Sequence, residues 1–105
     1  MSLSTHVLDT SLGVPAAGVA VTLRDAGGAV LAEAVTDADG RVSGLPAPSA
    51  GVFSITFATA AYFAASGRAC FYPSVEVRFE VVDAASHHHV PLLVAPYGYS
   101  TYRGS

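Results

Sequence analysis

Four histidines are the scarce reactive groups of this chain, and three of them are consecutive: His87, His88 and His89. In an extended segment His87 and His89 share one face, while His88 points to the other. The fourth, His6, lies among apolar neighbours in LSTHVLD. An H-x-H pair joined by a distant third histidine is the ligand set of a three-histidine zinc site. No carboxylate stands where it would orient such ligands from behind. The same residues also suit general-base catalysis, with an imidazole taking a proton from water and a cation stabilising the oxyanion. Arg41 is the candidate cation, since its planar fork matches a planar anion or an imide edge. Each group also has a plain structural reading: a polar strand edge for the histidine run, a satisfied core residue for His6, a surface residue for Arg41. Asp37 and Asp39 read most simply as turn formers. Spacing alone leaves these alternatives open.

The elements that must position these groups are short and extended. Residues 3–9 alternate, with Leu3, Thr5, Val7 and Asp9 on one face and Ser4, His6 and Leu8 on the other. After the Gly/Pro-rich SLGVPAAG, residues 19–25 alternate again, and Gly27-Gly28 marks a turn. Residues 29–36 fit helix or strand by period, but the flanking turns favour a strand. The Asp39-Gly40 turn opens a strand at 41–45, ended by Pro46; a further strand covers 52–58. TAAYFAASG is the single helical stretch, with Thr59 as N-cap and Gly67 as its stop. In VEVRFEVV, Val75, Val77, Phe79 and Val81 face inward and Glu76, Arg78 and Glu80 outward. Residues 87–95 form the last long strand, which Pro91 should push to a sheet edge or bulge. Tyr97, Tyr99 and Tyr102 in the tail suggest docking into a pocket or interface. Seven or eight strands with one helix predict an all-β sandwich in a single domain over 1–105.

Composition narrows the function. The 105 residues are 51% hydrophobic and only 12% charged, against about a quarter charged in ordinary soluble domains. A chain this short leaves much of that apolar surface uncovered, which points to self-association. A net charge of −3 offers no basic footprint for nucleic acid or an anionic membrane. No apolar run approaches the ~20 residues that span a bilayer. The beginning, MSLSTHVLDT, lacks the basic and apolar regions of a secretion signal, and the single Cys70 excludes an internal disulfide. Cytoplasm is the expectation.

The segment HHHVPLLVAPYGYSTYRGS resembles the C-terminal signature of the 5-hydroxyisourate hydrolases, the transthyretin-related proteins of urate breakdown. LSTHVLDTSLGVPAAGV, TDADGR and YFAASGRACFYPSVEVRFEVVD resemble three further family blocks in the right order. His88 stands where the family often has Tyr, and Ser74 where a larger or acidic residue is common; neither falls on a functional position.

The resemblance implies a transthyretin-like sandwich of two four-stranded sheets with one short helix. It implies a homotetramer, a dimer of dimers with sites in the channel between them. It implies hydrolysis of the N1–C6 amide of 5-hydroxyisourate to 2-oxo-4-hydroxy-4-carboxy-5-ureidoimidazoline, with no metal and no cofactor. The family's functional positions fall on His6, Arg41, His89 and the tail Tyr102-Arg103-Gly104-Ser105. One histidine, His6 or His89, would act on the attacking water. Arg41 would grip the substrate, and Tyr102 and Ser105 would close the pocket. Transthyretin itself shares the fold, carries thyroid hormone and lacks this tail.

Overall fold

The computed structural model describes residues 2–105 as nine strands and one helix. The first sheet is built on β1 (Ser2–Asp9), where the expected alternation holds: Leu3, Thr5, Val7 and Asp9 are fully buried. Beside β1 run β5 (Arg41–Pro46), antiparallel, and β8 (His88–Ala95), parallel. β9 (Gly98–Thr101) folds back on β8 through the two-residue Pro96-Tyr97 turn. The two-residue β2 (Val14–Pro15) pairs with the far end of β1, so the expected four strands carry a small fifth. The second sheet runs β4 (Val30–Val35), β3 (Ala20–Asp25), β6 (Gly51–Phe57), β7 (Val75–Val81), all antiparallel.

Inward residues of both sheets meet in one core. Leu3, Val7 and Leu92 come from the first sheet and Leu23, Ile55, Phe57, Val77 and Val81 from the second, closed at one end by Phe63 of α1 (Thr59–Ala64). Each such side chain contributes ~1.5–3 kcal/mol on burial.

Two expectations need correcting. Thr59 does not cap α1: the N-cap is Ala58, and the buried Thr59 hydroxyl donates to the Tyr72 carbonyl at 3.4 Å. A hydroxyl already engaged across the chain is not free for the helix end. β8 is not an edge strand, because β1 and β9 flank it on both sides. Pro91 is accommodated because the ladder to the tail lapses beside it. The register that pairs Leu92 with Thr101 resumes at His89 and Gly104, and Pro91, which has no N–H to give, stands in the gap. The aromatic tail is partly a strand, with the Tyr99 ring edge-on to Tyr72 at 5.1 Å and all three tail tyrosines, Tyr97, Tyr99 and Tyr102, exposed on the single chain.

Asp9, fully buried at the end of β1, is satisfied in place. Its Oδ1 accepts from the Ser11 hydroxyl and main chain, and its Oδ2 accepts from Tyr62 and Arg68, each at 2.9 Å. Burial alone would raise this carboxyl, but these donors hold it down at about 2. The cluster ties the loop after β1 to the helix.

Candidate active site

Sheet register assembles the site. β1 pairs His6 with Arg41 of β5 on one side, and Ser4 with His89 of β8 on the other. Three neighbouring strands therefore present Arg41, His6, Ser4, His87 and His89 on the outer face of the first sheet, opposite to the core residues between them. Arg41 is delivered by a tight turn. Asp37 Oδ1 accepts from the Asp39 and Arg41 main chain at 2.9 and 3.0 Å, as the turn-former reading expects. Gly40 allows the turn, with φ at +74° and no room for a Cβ against the Val7 carbonyl.

A cleft of about 330 Å³ opens on this face, lined by Ser4, Arg41, Ser43, His87, His89 and Ser105 among others. Ser105 reaches it because the tail continues past β9 and re-pairs with β8, the Gly104 N–H donating to the His89 carbonyl at 2.9 Å. Gly104 packs directly on the His89 ring, where a Cβ would collide with Cδ2. His6 flanks the cleft in register with Arg41 and does not line it. Tyr102 and Arg103 lie elsewhere: they line a neighbouring cavity of about 290 Å³, with Phe79 and Val77 of the second sheet, that His89 also borders. His88 points inward as strand alternation expects, 6% exposed, its Nδ1–H donating to the Ser86 carbonyl at 3.1 Å.

Electrostatics favour a neutral His89. Burial, the Arg41 charge, and then His6 and His87 push its pKa below the ordinary histidine value, and only hydrogen bonding to the Ser4 main chain opposes them. A ring lowered from about 6.5 is predominantly the free base at neutral pH. Its Nδ1 is held by the Ser4 hydroxyl at 2.7 Å, and among the described residues nothing bonds its Nε2. The Arg41 guanidinium likewise makes no bond or ion pair to the described residues, and Arg68–Asp9 is the salt bridge present. The face thus holds an anchored neutral base and an unengaged cation side by side. A neutral base beside a free cation is the chemistry that suits activating water and stabilising an oxyanion. The three-histidine metal reading lacks its geometry: among the described residues no three His, Cys, Asp or Glu side chains are placed to hold a metal ion.

Ser4 is the residue that sequence reasoning missed. Its signal was present as Ser2-x-Ser4-x-His6 on the polar face of β1. Serines on an outward face carry no message until β8 is known to lie parallel beside them.

The model of the HIUase/Transthyretin family matches residues 3–104. The chain belongs to this family. Within the HIUase/Transthyretin family, 5-hydroxyisourate hydrolase 2 of Rhizobium meliloti is 45% identical, the match covering 98% of this chain and 95% of that protein. The solved structure of Klebsiella pneumoniae 5-hydroxyisourate hydrolase superposes with a TM-score of 0.90 at 44% identity, covering 100% of both chains. Sea bream transthyretin, solved in complex with thyroxine, reaches the same TM-score of 0.90 at 32% identity, covering 97% of this chain and 93% of that one. The fold is therefore common to hydrolases and to a protein that binds thyroxine, and the site must decide between the two roles.

Proposed function

We propose that the chain hydrolyses 5-hydroxyisourate, opening the N1–C6 amide to give 2-oxo-4-hydroxy-4-carboxy-5-ureidoimidazoline in urate degradation. The observation that carries this reading is the pairing of a neutral, anchored His89 with an unengaged Arg41 in one cleft. A hormone carrier needs a binding surface; it has no use for a depressed base beside a cation.

In the proposed reaction water attacks C6 as His89 Nε2 takes one of its protons. Arg41 holds the planar ring and the oxygen on which charge develops, and a positioned donor of this kind contributes ~100–1,000-fold. His6, beside Arg41, orients the substrate edge, and Gly104-Ser105 closes the cleft over His89. Tyr102 and Arg103 act from the adjoining cavity, which His89 also borders. Every group belongs to this chain, so the reading needs neither metal nor cofactor.

The proposal also makes the protein a single-domain homotetramer, a dimer of dimers, working in the cytoplasm. Support comes from large apolar side chains left exposed on the single chain, Leu12, Val82 and Tyr97 at 60%, 76% and 73%. No helix is long and apolar enough to cross a membrane. Sedimentation should give four times the chain mass. For the activity, freshly generated 5-hydroxyisourate is followed by its ultraviolet absorbance with and without protein. The proposal expects decay well beyond the spontaneous rate, whereas binding with unchanged decay would make the protein a carrier.

A further inference from the structure

Behind His89 runs a chain of hydrogen-bonding groups that the reaction as written does not use. The Ser4 hydroxyl lies 2.7 Å from His89 Nδ1 and 2.8 Å from His87 Nε2, and Ser2 Oγ lies 3.0 Å from His87 Nδ1. Ser4 is buried, at 9% exposure, while His87 at the other end is open to solvent. A hydroxyl has one proton, so between two imidazoles it donates to one and accepts from the other. The row of groups therefore has two polarities. In one, His89 Nδ1–H donates to Ser4, Ser4 donates to His87 Nε2, and His87 Nδ1–H donates to Ser2, which leaves His89 Nε2 as a bare lone pair. In the other every bond is reversed, and His89 Nε2 carries the proton.

We infer that Ser4 is a positioning residue of the hydrolysis, coupling His89 to His87 so that His87 holds the water proton between attack and ring opening. The inference rests on the hydrolase reading above. In the first half, a C–O bond forms between water and C6 as a water proton passes to His89 Nε2. The Nδ1 proton of His89 moves to Ser4 Oγ as the Ser4 proton moves to His87 Nε2. Positive charge then sits on exposed His87 instead of on His89, which is part-buried and faces Arg41 of β5 and His6 of β1. In the second half the C–N bond breaks, His89 Nε2–H protonates the departing nitrogen, and the relay runs back through Ser4. His89 returns to its Nδ1–H form. Water and amide have become acid and amine, the acid proton leaves to solvent, and every group of the relay is restored.

The test uses whole protein labelled with ¹⁵N-histidine, alongside Ser4→Ala, Ser4→Thr and His87→Gln. Long-range ¹H–¹⁵N spectra report which nitrogen of His89 is protonated, whether or not there is turnover. The wild type should show His89 as Nδ1–H, and Ser4→Ala should lose that preference. Turnover in Ser4→Ala and in His87→Gln should fall by at least ~10-fold in kcat with KM little changed, at the lower end of what a positioned proton-transfer group contributes. Ser4→Thr, which keeps the hydroxyl, should restore the tautomer and most of kcat. Wild-type turnover with Ser4→Ala unchanged in both kcat and tautomer overturns the relay alone. Absence of turnover in the wild type overturns the hydrolase reading instead.

Discussion

Gly104→Ala puts the packing of the tail on His89 to the test. A Cβ at Gly104 would overlap His89 Cδ2 and lie 3.1 Å from Cγ and 3.3 Å from Cβ. Carbon pairs rest at ~3.5–4.0 Å, so relieving all three contacts needs a relative shift of about 1 Å. Gly104 has no positive φ, so the conflict is steric and confined to this contact. Either the ring moves, and its Nδ1 leaves the 2.7 Å bond to Ser4, or the tail lifts and breaks the Gly104–His89 main-chain bond. A misplacement of about 1 Å costs ~100-fold in rate, equivalent to ~2.7 kcal/mol of barrier. The fold loses far less, because one main-chain hydrogen bond contributes ~1 kcal/mol, or ~4–8 °C in Tm for a domain near this size. The assay is kcat/KM on freshly made 5-hydroxyisourate, run beside thermal unfolding. Turnover within a few-fold of wild type would refute the reasoning, since it would mean that the tail does not set the position of His89.

Other expectations follow from burial and charge. His88→Ala should leave turnover nearly unchanged, because the side chain points into the sandwich, yet lower stability by ~1–3 kcal/mol through lost packing; a large loss of kcat with stability intact would count against the register of β8. His89, lowered by burial and by Arg41, should give the acid limb of kcat/KM a midpoint below about 6.5, since the free base persists to lower pH. The same shift makes the unfolded chain take up the proton first as pH falls below about 6.5, so this group's contribution to stability declines from there downward; a midpoint above 6.5 would contradict both. Asp9, held at about 2 against 3.8 when free, stabilises the fold fully above pH 3.8 and progressively less as pH falls toward 2. Asp9→Asn should cost ~2–3 kcal/mol near neutral pH and flatten acid unfolding over that window, which a urea series at several pH values would show.

Much of this arrangement was legible because strands with one buried face write their geometry in a period of two. The inward faces of β1 and β7, and the opposite directions of His88 and His89, follow from alternation alone. Arg41 was legible as the residue after an Asp-Gly turn. What alternation cannot supply is which strands become neighbours. The parallel pairing of β1 with β8 joins residues more than eighty positions apart, and with it come the Ser4 bridge and the cleft. β9 escaped notice because its residues are mostly exposed, so neither face carries an apolar signal. Pro91 misled for the same reason: an edge was the general expectation for proline, and only the tail's interrupted ladder shows how an interior strand can hold one. The family resemblance takes Tyr102, Arg103, Gly104 and Ser105 as one unit, but beyond β9 the chain lines one cavity with Tyr102 and Arg103 and reaches the His89 cleft only at Ser105.

The central claim is that His89 and its neighbours turn over 5-hydroxyisourate with protein groups alone. Its most direct test follows the ultraviolet decay of freshly generated substrate with chelator-stripped wild type and, in parallel, with equally folded His89→Ala. The expected result is rapid decay with the stripped wild type and a rate at least ~100-fold lower with the variant, the scale for removing a general base. Equal rates for the two proteins, or a stripped wild type that recovers only when zinc is added, would contradict it.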